Sequence, residues 1–240
     1  LLPLCATTVV EKWQRERVPA TMVLIHERLR RMPELAATMH PTGPGHFGAN
    51  ERGIIALLTP ERLRRILTKM LDENEFLSPY GIRALSRFHA DHPYIFHAGG
   101  QEYRVDYLPA ESNTGMFGGN SNWRGPVWMP VNLLIIRALI NLYTFYGDEF
   151  KVECPTGSGR HVTLFEVARE IVDRLSGTFL RDANEEFFRE FTAGHTRCDY
   201  MQVIHQGVAV QLHNNHFSRA ARIDLLKVLQ DACLRAGVEL

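Results

Sequence analysis

Asn120-Ser121-Asn122-Trp123-Arg124-Gly125-Pro126-Val127-Trp128-Met129-Pro130 leads into the longest apolar run of the chain, Val127 to Tyr146. That run carries Pro130, Asn132, Arg137 and Asn141 within it. The interruptions deny it the roughly 18 to 20 apolar residues of a membrane span and predict a buried helix that begins after Trp128. A Gly-Pro turn at its entrance sets two tryptophans five residues apart, with an arginine beside the first. A sugar ring packs its apolar face on indole while fixed donors take its hydroxyls, so the pattern reads as a sugar-binding wall. The alternative is a helix entrance packed for its own sake, since large aromatics are common in cores.

Working outward, the remaining apolar positions repeat with helical spacing. Leu63, Ile66, Leu67, Met70 and Leu71 form one stripe, and Thr59-Pro60-Glu61 supplies a cap, a proline at the first helical position and an acid at the positive end of the dipole. A second helix is expected from Pro19 to Arg31 with Met22, Ile25 and Leu29 inward. A third opens with the capping box Thr163-Leu164-Phe165-Glu166, and a last one runs from Ser218 to Arg235, ended by Gly237. His40 to Gly53, His89 to Gly119 and Glu153 to Arg160 read as long irregular loops, the kind that carry function. A short hairpin over Glu102 to Leu108 is the one strand signal. The fold expected is therefore all-α, helices stacked in pairs with chemistry on the connecting loops.

Composition narrows the function classes. The 240 residues are 45% apolar and balance 27 basic against 27 acidic side chains, so no net field favours nucleic acid or an anionic membrane. Neither is expected as a partner. Cys5, Cys154, Cys198 and Cys233 are scattered, which fits free thiols and a reducing, cytoplasmic setting rather than a disulfide framework. The start at Leu1 predicts a chain cut from a longer one.

Three segments together resemble a known family. Glu73-Asn74-Glu75-Phe76-Leu77-Ser78-Pro79-Tyr80-Gly81-Ile82-Arg83, Gly115-Met116-Phe117-Gly118-Gly119 and Asn122 through Trp128 are similar to glycoside hydrolase family 63, and the likeness extends to Glu153-Cys154-Pro155-Thr156-Gly157-Ser158-Gly159. That family includes processing α-glucosidase I, bacterial α-glucosidases and mannosylglycerate hydrolases. The resemblance covers about Leu1 to Asp182 and implies part of an (α/α)6 toroid, with a divergent helical tail over residues 183–240. It implies inverting hydrolysis of α-glucosidic or related α-mannosidic bonds in an oligosaccharide or small glycoside, with no metal or organic cofactor. Two carboxyl groups, roughly 6.5 to 9.5 Å apart, protonate the leaving oxygen and activate a water. The family's general acid falls upstream of Leu1. Its general base falls beyond the break near Ala183, where Glu185, Glu186 and Glu190 stand in a different context, so no catalytic residue is assigned.

The candidate substrate-binding residues are Asn122, Trp123, Arg124, Trp128 and Glu111. Arg124 offers a planar fork for hydroxyls or a carboxylate, with an ion pair to Glu111 as the structural alternative. Gly115, Gly118 and Gly119 lack the strand and the Gly-Lys-Ser/Thr ending of a phosphate cradle and read as turns. Two other readings remain open. A remnant without catalytic carboxylates would keep sugar affinity through the same residues. The tail residues His195, Cys198, His205, His213 and His216 would make a zinc module, although their spacing departs from the usual pairs. A partial toroid also exposes helix faces, which predicts self-association.

Overall fold

The computed structural model describes residues 1–107, 127–177, 200–205 and 208–213, the last two as backbone. Six helices are present among them. They are α1 (Lys12–Arg17), α2 (Pro19–Arg30), α3 (Pro33–Ala36), α4 (Pro60–Met70), α5 (Met129–Tyr146) and α6 (Leu164–Gly177). The helix expected from Ser218 to Arg235 lies outside the described residues.

The expectation of an all-α fold is overturned. Ten short strands pair as five two-stranded antiparallel sheets: β1 (Thr7–Val10) with β2 (Gly53–Ala56), β3 (Leu77–Ser78) with β4 (Gly81–Ile82), β5 (Tyr94–Ala98) with β6 (Gln101–Val105), β7 (Lys151–Glu153) with β8 (His161–Thr163), and β9 (Tyr200–His205) with β10 (Val208–His213). The content is mixed α and β. β3, β4, β7 and β8 are too short to show an alternating pattern, β5 and β6 lie inside a segment that reads as a loop, and β9 and β10 fall in the tail expected to be helical. One signal was present. Gly99 and Gly100 both take positive φ, +59° and +74°, and close the β5–β6 hairpin as a two-residue turn.

The chain divides into two compact units, Leu1–Leu71 with Leu133–Arg169, and Asp72–Asn132 with Glu170–Leu240. In the first, the α4 cap forms as its sequence dictates, since Thr59 Oγ1 accepts from the amide of Arg62 at 3.4 Å. Leu63, Leu67 and Met70 are fully buried, each contributing about 1.5–3 kcal/mol of apolar burial. The α6 capping box closes both ways: the Glu166 amide donates to Thr163 Oγ1 and the Thr163 amide donates to Glu166 Oε2 at 2.8 Å. The bonds that the Thr163 amide and hydroxyl donate to its carboxylate hold Glu166 below the usual glutamate range.

Two helices behave differently from their sequence reading. α5 is, by length and composition, long and apolar enough to cross a membrane, although Ile135, Ile136, Ala138, Leu139, Leu142 and Phe145 are buried as in the core helix the sequence predicts. α2 buries no residue completely. Its Met22, Ile25 and Leu29 are only half-buried, and Val23 and Leu24 face solvent.

Candidate functional site

The site is built on the segment from Glu73 to Arg83. Its turn and the β3–β4 hairpin are organised by one buried cation. Arg83 is 5% exposed, and its Nη1 donates to the backbone carbonyls of Glu73 (3.0 Å), Glu75 (3.3 Å) and Leu77 (2.7 Å). Its Nε donates to the Tyr107 hydroxyl at 3.2 Å, and the guanidinium lies 5.8 Å from that ring. A planar fork with five donors suits this role, because several carbonyls of one turn converge on it.

Asn132, on the first turn of α5 and 1% exposed, ties the hairpin to the helix entrance. Its Oδ1 accepts from the Ile82 amide at 2.7 Å and its Nδ2 donates to the Ile82 carbonyl at 3.0 Å, satisfying both backbone groups of one β4 residue. The same Nδ2 donates to the Trp128 carbonyl at 3.0 Å, as does the Asn132 amide. Gly81 makes this approach feasible. Its φ is +111°, and a Cβ there would stand 2.6 Å from Leu175 Cδ2 and 3.0 Å from Asn132 Oδ1. Within the hairpin, Ser78 Oγ donates to the Gly81 carbonyl at 2.7 Å and accepts from the Tyr80 amide.

Four carboxylates around this segment have specific partners. Arg174 of α6 donates to Glu73 Oε1 (2.8 Å), Glu170 Oε1 (3.0 Å) and the Ser78 carbonyl (2.9 Å). Ser86 Oγ donates to Glu75 Oε2 at 2.8 Å, and Arg104 Nε donates to both oxygens of Asp106. Such pairs hold backbone and loops in place. They suit orientation of a ligand-bearing wall rather than proton transfer.

Of the residues singled out in the sequence, Trp128 is placed at the head of α5, half-buried, with its carbonyl fixed by Asn132. Asn122, Trp123, Arg124 and Glu111 lie outside the described residues, as do Gly115, Gly118 and Gly119. Asn132 and Arg174 were missed as site residues. Asn132 drew attention only as a break in an apolar run, yet a lone amide there signalled a buried polar partner.

The loop Glu153 to Gly159 belongs elsewhere, in the first unit. The Glu153 carboxylate is held by the backbone amides of Gly157 and Gly159, which keep it below the usual glutamate range. The Thr156 amide donates to the Leu71 carbonyl at 2.9 Å and its hydroxyl to the Thr68 carbonyl at 2.8 Å, closing the C-terminal end of α4. Of the tail histidines, His205 and His213 fall on β9 and β10, opposite Val208 and Tyr200 at the two ends of that ladder. His195, Cys198 and His216 lie outside the described residues. Among the described residues no His, Cys, Asp and Glu group could hold a metal ion.

The segment from Glu73 to Arg83 and the turn at Trp128 fall inside a match, over residues 54–196, to the model of the mannosylglycerate hydrolase MGH1-like glycoside hydrolase domain. The chain belongs to this glycoside hydrolase family. The family 63 resemblance of its motifs is thereby borne out. An uncharacterized protein of Saccharomyces cerevisiae is 55% identical over 139 residues, 58% of this chain and 13% of that protein. A probable mannosyl-oligosaccharide glucosidase of Schizosaccharomyces pombe is 35% identical over 83 residues, 34% of this chain and 7% of its own length. The chain therefore spans only a small part of the curated relatives it matches. No solved structure matches it.

Proposed function

We propose that the chain supplies one wall of the sugar site in a glycosidase that hydrolyses an α-glucosidic or related α-mannosidic bond of an oligosaccharide with inversion. Trp123 and Trp128 present the stacking surface, and Asn122, Arg124 and Glu111 complete the polar contacts. The observation that carries this reading is the Asn132 clamp, which fixes the turn carrying Trp128 to the Glu73 to Arg83 segment inside the family-matched region. A rigid indole at a helix entrance holds a pyranose face at little entropic cost. On this reading no catalytic acid or base is assigned among the described residues. Self-association through the exposed α2 face is part of the same proposal, since Val23 and Leu24 offer apolar surface there.

The test uses the protein as expressed from its gene, incubated with α-linked glucose and mannose disaccharides and with mannosylglycerate. Proton NMR follows the anomer first released. Inversion releases the β anomer from an α bond. Initial release of the α anomer overturns the inverting mechanism. Quenching of tryptophan fluorescence by these sugars without any release favours the second reading, a sugar-binding remnant, which draws on the pairing of Glu73, Glu75, Glu170 and Asp106.

A further inference from the structure

A second site of different chemistry lies in the first unit, where α1, α2, the β1–β2 ladder and the loop after Met39 enclose a pocket of about 350 Å³. Its volume is that of a small-molecule site. Apart from Ile54 and Ile55 at its edge, its lining precedes the family-matched residues. The walls are chiefly aliphatic and aromatic, with Met22, Ile25, Leu29, Met39, Phe47 and Ile54 prominent. A sugar needs donors and acceptors around its whole rim, so this pocket is unsuited to one.

Arg15, Glu16, His26, Thr42 and His46 break the apolar lining, and two of their nitrogens stand out. Arg15 Nε and His26 Nε2 are buried and have no hydrogen-bond partner. The Arg15 guanidinium carbon stands 4.0 Å over the Phe47 ring, and Nη2 donates to the Glu51 carbonyl. His26 Nε2 lies 3.2 Å from where a Gly43 side chain would begin, and Arg15 Nε lies 3.7 Å from the corresponding point on Gly53. Glycine at both positions keeps a side chain from packing against the two nitrogens. A buried donor without an acceptor costs about 1–3 kcal/mol, which a ligand bearing an acceptor recovers on binding.

We propose that this pocket binds a small amphipathic monocarboxylate. The apolar body fills the space between α2 and the β1–β2 ladder, while the carboxylate accepts from Arg15 Nε and His26 Nε2. The exposed Glu16 at the rim repels a second anionic group, which selects one carboxylate over two. This binding neither uses nor requires the sugar wall.

The experiment is calorimetric titration of the full chain with octanoate, with octan-1-ol as the neutral control, alongside thermal melting and sedimentation. Octanoate is expected to bind with a stoichiometry of one and to raise the melting temperature, with octan-1-ol at least about ten-fold weaker. Arg15→Gln and His26→Phe should each weaken octanoate about ten-fold and leave octan-1-ol unchanged. Met22→Trp, which fills the pocket without removing a polar contact, should abolish both. Absence of octanoate binding overturns the proposal, as does equal binding of the two probes or indifference of both polar variants. It is equally overturned if the wild-type chain sediments as a dimer that Met22→Trp converts to monomer, because the pocket would then hold a second copy.

Discussion

The segment Glu73 to Arg83 and the loop Glu153 to Arg160 look alike in sequence, each mixing Glu, Ser or Thr, Pro and Gly, and each resembling the same family. Their physical roles differ. In the first, side chains reach inward from other elements: Asn132 holds Ile82, and Arg174 holds Ser78 and Glu73. In the second, the loop's own side chain reaches outward, with Thr156 closing the end of α4. A segment clamped by others is positioned for something it carries, whereas a segment that donates its own groups serves its neighbour. The direction of the hydrogen bonds separates a site from a cap where composition does not.

The largest effect expected is at Asn132. Asn132→Leu leaves the Ile82 amide and carbonyl without their partner in a buried place, a loss of about 2–5 kcal/mol read from the urea midpoint. On the proposed function it also abolishes sugar quenching of tryptophan fluorescence. A loss below about 1 kcal/mol would break the comparison, because the clamp would then hold nothing. Next comes Gly81→Ala, where a positive φ and the approach of Leu175 predict a loss of about 1–3 kcal/mol by the same measurement. Thr156→Val is the contrasting case. Removing one capping hydroxyl costs about 1 kcal/mol and leaves sugar quenching at its wild-type amplitude. A change in quenching there would merge the two roles.

The sequence was legible where a rule is local. Thr59-Pro60 and the Thr163–Glu166 box mark the starts of α4 and α6 because cap and first turn lie within a few residues. It was illegible where partners are remote. Asn132 and Ile82 are 50 residues apart, and nothing within one turn of either residue announces the other. Arg83 was quoted as part of a motif, but its partners are backbone carbonyls, which every residue type supplies. The strands escaped for a related reason. β3 and β4 have two residues each, and their pairing rests on the Ser78–Gly81 turn rather than on any alternation of side chains. Trp128 was legible as a site residue by its type, and what holds it was not.

The smallest effect sharpens the contrast between the two regions by pH. The Glu73 to Arg83 clamp relies on Arg83, Asn132, Ser78 and Arg174, and no histidine takes part in it. His40, in the other unit, is buried beside the Phe145 and Tyr146 rings, and its Nδ1 lies 2.7 Å from the Pro41 carbonyl. Burial lowers its pKa below the ordinary histidine value, and nearby His46 adds to the shift, while the Pro41 carbonyl and Glu61 oppose it. As pH falls through about 6.5, His40 of the unfolded chain takes up a proton before the folded one does. The unfolded state then binds more protons, so stability is full above that value and declines with pH until the folded His40 is also protonated. His40→Phe keeps a ring between Phe145 and Tyr146 but cannot be protonated. Urea midpoints from about pH 8 to pH 5 should therefore fall less steeply in that variant than in the wild type. If the two slopes coincide, the acid sensitivity belongs to another histidine, and the division between a first unit that carries it and a clamp without histidine has to be drawn elsewhere.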